Sequence, residues 1–249
     1  MLTPSQTRRN LLVALLASTA TTHPAHAAVL SGDVVEVTPA ASSTGPEGAR
    51  VLTAPSSIYQ DDVITTDAAG QAQIKLLDNT RLVVGPNSKI TIDEFVFKPD
   101  RTAAEVSLSA LRGAFRFIGG ASDAGAYSIK TPTATLGIRG TAVDFMIGKH
   151  GETTVYWREG SGFACVAHPG PAHQRRDDCR FLVTGDVLVA PPGGGFGGLT
   201  AAEKAALIAA WPVPTQGGLD NGFTIGPPPG PPPATEPTSG NPRGTSSYR

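Results

Sequence analysis

The sequence predicts an all-β fold, and three observations carry that expectation. Apolar and polar residues alternate with a period of two from about Val34 to Ala190, the mark of strands with one buried face. Turn-forming Gly, Pro, Asn and Asp interrupt that stretch at the short spacing of an all-β domain. Gly and Pro are abundant, at 29 and 22 of 249 residues, while charged side chains make up only 16 %. A two-layer sandwich, a compact roll and a short solenoid all fit these features.

The strands can be placed in order. Ala72, Ile74 and Leu76 alternate with Gln73 and Lys75 after a first alternating stretch that begins near Val34. Asp78-Asn79 turns the chain before Leu82 and Val84, and Gly85-Pro86-Asn87-Ser88 turns it again before Ile90 and Ile92. Further strands are expected at 106–111, 114–118, 127–130, 141–147, 153–158, 163–166, 181–183 and 187–189. Phe115 and Phe117 should face inward with Arg116 outward, and Val143 and Phe145 inward with Asp144 outward.

Both ends of the chain depart from this pattern. Residues 1–27 read as an export signal: Arg8-Arg9, then the apolar stretch Leu11 to Ala17, then Ala25-x-Ala27 for cleavage. The paired arginines fit a twin-arginine signal as well as an ordinary secretion signal. The expected location is the periplasm or the exterior. The apolar stretch is too short to span a bilayer, and no transmembrane helix is expected in the mature chain.

Residues 28–190 form the expected β domain, and 191–211 a Gly-rich hinge and short helix. Thr200-Ala201-Ala202-Glu203 is a capping box in front of Lys204 to Trp211, and Pro212 stops the helix. Leu207, Ile208 and Trp211 share an apolar face, so the helix should dock back on the β domain or engage a partner. Residues 212–249 hold 10 Pro and 7 Gly, the composition of a disordered, polyproline-prone tail or of a ligand for an aromatic-lined groove.

Charge excludes one class of partner. The 20 basic and 21 acidic side chains are interspersed, whereas a nucleic-acid surface needs a concentrated Lys/Arg face. Removing residues 1–27 takes two arginines and no acids from a formal charge of −1 and leaves −3.

The two cysteines, Cys165 and Cys179, are expected to pair in an oxidising compartment. A closed loop of about 15 residues would contribute ~3 kcal/mol in the chain-entropy picture. The spacing Cys165-x2-His168-x4-His173-x5-Cys179 also admits a tetrahedral zinc site.

No catalytic constellation stands out. Ser161 sits in Gly160-Ser161-Gly162, which is not a nucleophile elbow. His150 lies in a Gly-Lys-His-Gly turn, and Asp61-Asp62 and Asp93-Glu94 are adjacent pairs whose carboxylates face opposite sides of a strand. No cofactor is implied. The expectation is a non-enzyme, with an unrecognised envelope hydrolase as the rival class.

One stretch is more specific. Thr131-Pro132-Thr133-Ala134, followed by Ile138-Arg139-Gly140-Thr141 as a turn and then a second strand, resembles the signature of FecR-type domains. Asp62-Val63-Ile64-Thr65-Thr66, Asp78-Asn79-Thr80, Gly85-Pro86-Asn87-Ser88, Gly113-Ala114-Phe115-Arg116-Phe117 and Tyr156-Trp157-Arg158-Glu159-Gly160 resemble further elements of that family in matching order. The resemblance spans about residues 33–190 and implies a FecR-like two-layer sandwich or compact β-roll. It also implies a periplasmic, non-catalytic domain of the kind found in the iron-dicitrate sensor, which relays receptor status to a cytoplasmic sigma factor.

Neither the sensor's sigma-regulating segment nor its receptor-docking module is expected here, so the expectation is a freestanding exported binding or scaffolding module. It would serve surface signalling through a separate envelope protein partner, or sense a small anionic ligand such as iron-citrate. Lys130 and Arg139 are the candidate anion-binding residues, since guanidinium holds carboxylates in a bidentate way. Alternatively Arg139 donates to turn carbonyls or pairs with Asp144.

Overall fold

A computed structural model describes residues 27–123, 125–167 and 178–211. Fourteen strands and one helix follow in chain order: β1 (Leu30–Thr38), β2 (Ala41–Gly45), β3 (Gly48–Leu52), β4 (Ser57–Tyr59), β5 (Val63–Thr66), β6 (Gln71–Leu76), β7 (Arg81–Val84), β8 (Lys89–Phe97), β9 (Ala103–Ile118), β10 (Tyr127–Lys130), β11 (Ala134–Ile147), β12 (Thr153–Val166), β13 (Cys179–Val183), β14 (Val187–Ala190) and α1 (Ala201–Ala209). The all-β expectation holds.

Three long strands organise the rest. β9 has 16 residues, and β11 and β12 have 14 each. Each changes neighbours along its length. The first half of β9 pairs with β8 and β10, and its second half with β7 and β11. Likewise β12 pairs with β13 beyond Gly160 and with β14 before Trp157. The sheet therefore forks. One branch runs β3-β2-β5-β8-β9-β10-β11-β12-β13, the other β14-β12-β11-β9-β7-β6-β1-β4. All pairings are antiparallel except β9 with β10.

One apolar core joins the two branches, a compact barrel-like roll. Trp157, Phe115, Phe117 and Phe145 are fully buried there, with Ile64, Ile90, Leu108, Ile129 and Leu136 from the other branch. Phe115 stacks on Phe145 at 5.0 Å, as cross-strand partners in register. Gly162 makes room for Trp157: a Cβ there would collide with the indole and with the Gly137 carbonyl.

The polar residues of the early motifs fasten turns to this core. Asp62, fully buried, accepts from the Tyr59 backbone N–H at 2.8 Å and pairs with Arg50. The Thr66 hydroxyl donates to the Gly85 carbonyl at 2.6 Å and accepts from the Ser88 N–H at 3.0 Å.

The structure differs from the sequence expectation in identifiable ways. The stretches 106–111 and 114–118 are one strand, whose register against β8 slips between Ala110 and Arg112; Gly113 beside the slip has a φ of 100°, and its missing Cβ lets Ser88 approach closely. Arg139-Gly140 is not a turn. It lies inside β11, where the register against β12 slips between Arg139 and Thr141, and the left-handed glycine is Gly160 on the facing strand, at φ 82°. Arg116 and Asp144 lie opposite the phenylalanines as expected, but they are buried, because that face is covered. The capping box forms, and the helix starts at Ala201 and leaves Trp211 just beyond its end. Of the expected signal (residues 1–27) all but the last residue, and the whole tail (212–249), lie outside the described residues. No helix among the described residues is long and apolar enough to cross a membrane.

Candidate functional site

The covered face holds a charge clasp. Register places Val83, Arg116, Asp144 and Tyr156 side by side across β7, β9, β11 and β12. Arg116 grips Asp144 with both arms, Nε to Oδ1 at 2.8 Å and an Nη to Oδ2 at 3.0 Å. Arg158 adds a third bond to Oδ2 at 3.1 Å. Asp144 is fully buried and Arg116 nearly so, whereas the Arg158 side chain keeps 29 % of its exposure.

Trp211 closes this face. Its ring packs on Val83 and Ala114, with Met146 and Tyr156 alongside, and its centroid lies 6.3 Å from that of Tyr156. No residue of α1 itself is buried, so Trp211 is the helix's main anchor to the sheet. A nine-residue helix is marginal in isolation. Trp211→Ala is therefore expected to abolish hydrogen-exchange protection across 201–209 at a global cost of only about 2 kcal/mol, the burial of one apolar side chain at the edge of the sheet. Protection that survives the substitution would show a second anchor.

The signature turn builds a different feature. β9 pairs with β10 from Val106 to Ser109 and with β11 from Gly113 to Ile118, and the β10–β11 turn, residues 131–133, lies at the gap between the two pairings. A relay of hydroxyls secures them: Thr133 donates to Thr153 at 2.8 Å, Thr153 to Thr131 at 2.8 Å, and Thr131 to the Ala134 carbonyl at 2.8 Å. Pro132 stays exposed on the outside of the turn. Beside it opens a cleft of about 830 Å³ lined by Asn87, Leu111, Arg112, Pro132, Ile147 and Lys149, together with glycines 113, 148 and 151. Its charged side chains are cations.

The residues predicted from sequence fall out as follows. Thr131, Pro132 and Ala134 form the turn, with Ala134 fully buried, while Arg139, Gly140 and Thr141 lie at the register slip. Lys130 and Arg139 are both exposed but are not brought together. Lys130 lies opposite Thr135, four residues along β11 from Arg139, which is about 13 Å of strand. Asp144 is held by Arg116 and Arg158 rather than by Arg139.

Cys165 and Cys179 face each other across β12 and β13 and form a disulfide. Both thiols are therefore taken up by the bridge rather than by a metal; His168 and His173 lie outside the described residues. His150 is exposed at a hairpin tip, and Ser161 sits in the strand opposite Arg139. Asp61 is exposed and Asp62 buried; Asp93 accepts from the Ser109 hydroxyl while Glu94 is exposed. Sequence reasoning missed the clasp, the hydroxyl relay through Thr153, and the cations Arg112 and Lys149. The Leu111-Arg112-Gly113 sequence, an apolar and a basic residue ahead of a glycine, was the available signal for the last.

Comparison with known proteins agrees with the resemblance. The profile of the family "FecR protein" matches residues 62–161, which include the signature turn, the Asp62 and Asp78 elements and the charge clasp. No curated protein matches the chain. Two crystal structures of a "putative anti-sigma factor" from Parabacteroides distasonis ATCC 8503 are similar to it. One is 13 % identical with a TM-score of 0.39 and covers 54 % of this chain and 57 % of that chain. The other is 12 % identical with a TM-score of 0.42 and covers 59 % and 64 %. The chain thus spans less than two thirds of either.

Proposed function

We propose that this protein, whose residues 62–161 are a FecR-type domain, is an exported, non-catalytic binding module of the cell envelope that serves surface signalling through separate partner proteins. Its place would be the periplasm or the exterior, after removal of residues 1–27. One contrast carries the reading. The fully buried carboxylates Asp62, Asp78 and Asp144 are each held by side-chain or backbone donors that fasten the fold, whereas the open cleft beside the signature turn presents cations and apolar side chains. Such a surface recognises; it has no poised acid and base.

Chemical cross-linking of the mature protein in its native envelope, followed by purification, tests the reading. Retention of a membrane receptor or a sigma-factor regulator supports it. Turnover of an ester, glycoside or peptide substrate, abolished by a single side-chain change, would replace it with a hydrolase. The cation-lined cleft also favours a second reading, a sensor of a small anion. Iron-citrate should then raise the melting temperature by mass action.

A further inference from the structure

We propose that the cleft where β9 and β11 diverge docks an acidic peptide segment carrying leucine-like side chains, presented by a separate envelope protein. The proposal deepens the binding reading above by naming the partner's chemistry and the residues that meet it.

Charge is the first observation. Arg112 and Lys149 line the cleft from β9 and from the β11–β12 hairpin, and Lys89 on β8 is the cross-strand neighbour of Arg112. Among the described residues none of the three forms an ion pair. Glu152, the acid of the hairpin, is engaged locally: its carboxylate accepts from the His150 N–H at 3.0 Å and leans over Gly148. The three cations outnumber that one carboxylate, so the cleft keeps a net positive charge, which draws an acidic partner and fixes its register.

Apolar surface is the second. Leu111 is 56 % exposed, in a domain whose other strand leucines are mostly buried, and it lies with exposed Pro132 at the same opening. A small polycarboxylate would satisfy the cations and leave Leu111 and Pro132 wet. An acidic segment with interspersed apolar residues covers both.

Rigidity is the third. A Cβ at Gly113 would strike Ser88, whose hydroxyl accepts from the Ala114 N–H at 3.0 Å, so the backbone beside the register slip against β8, where Leu111 and Arg112 are both exposed, is fixed by packing. The opposite wall is held by the threonine relay. A preformed cleft loses little ordering entropy on binding, and about 830 Å³ is within the range of specific pockets.

The test uses the mature full chain and a fluorescein-labelled peptide of alternating Glu and Leu, read by fluorescence anisotropy. Saturable binding that weakens with added salt is expected. The double variant Arg112→Glu/Lys149→Glu should weaken it at least about tenfold, and Leu111→Ser about fivefold. Lys75→Glu, an exposed charge reversal on β6, should leave it unchanged. All these positions are exposed, and matching thermal melts confirm that the variants fold.

Three results would overturn the proposal: no binding to the wild-type chain, equal affinity for the Arg112/Lys149 variant, or equal affinity for a peptide in which Ser replaces Leu. The last would assign the cleft to small anions, and iron-citrate competition would then displace the peptide. Failure here leaves the envelope capture experiment untouched, because a partner held by another face would still be retained.

Discussion

Replacing Asp144 with alanine lowers the unfolding free energy by about 3–5 kcal/mol, read as a shift of the urea midpoint at constant slope. The size follows from what is left behind. Arg116 is 5 % exposed and loses both of its bonds to the Asp144 carboxylate. A buried cation deprived of its carboxylate is far more costly than the pair was favourable, because the pair's Coulomb gain had largely offset the desolvation of both ions.

Two companion variants separate that account from simple loss of packing. Arg158→Ala removes the third, partly exposed arm and should cost about 1 kcal/mol or less. Arg116→Met combined with Asp144→Leu removes both buried charges, and it should recover most of the stability that Asp144→Ala loses. A double variant as unstable as the single one would mean that the clasp aligns β9 and β11 in a way apolar packing cannot replace.

The clasp also shows where sequence reasoning reaches its limit. Strict alternation placed Arg116 and Asp144 on the face away from Phe115 and Phe145, and that was correct. Alternation says nothing about what lies beyond that face. Trp211 comes from outside the alternating region, and it turns an apparently solvated row into a buried one. The same limit explains Arg139-Gly140. A glycine beside an arginine reads as a turn when the chain is viewed alone, but the register slip belongs to a strand pair, and its left-handed residue, Gly160, sits on the partner.

Short elements were the other loss. β2 to β5 have three to five residues each, too few to establish a period in a region rich in Ser and Thr. The family motifs were legible because they fix polar residues at turns. Asp62, Thr66, Asp78 and Thr131 each anchor a turn through hydrogen bonds, so their spacing is visible in a single sequence. The cleft was not legible, since Arg112 and Lys149 are 37 positions apart and meet only where two strands diverge.

Asp78→Ala is expected to cost about 4 kcal/mol or more, at the upper end for a single substitution. The carboxylate is fully buried and accepts from the Thr80 N–H at 3.0 Å, the Thr80 hydroxyl at 2.9 Å, the Ser122 hydroxyl at 2.7 Å and the Tyr127 hydroxyl at 2.9 Å. These donors come from the β6–β7 turn, the β9–β10 loop and β10, so one group ties three segments together. The Tyr127 oxygen in turn accepts from the N–H groups of Gly120 and Ser122, at 3.0 and 3.2 Å.

Burial pushes the Tyr127 phenol above its ordinary pKa of 10.0, with the negative Asp78 adding to the rise against opposing bonds from Ser122 and Thr80. The sign of the pH dependence follows. Below the unfolded pKa the phenol is neutral in both states and its contribution is fully present. Above it the unfolded chain releases the proton first, so stability falls as pH climbs toward the folded value. Urea unfolding followed from neutral pH to beyond pH 10 should show that decline in the wild type. Tyr127→Phe should begin less stable and decline less steeply. Parallel curves would mean that the phenol ionises as readily folded as unfolded, against the cost of burying a phenolate beside the Asp78 carboxylate.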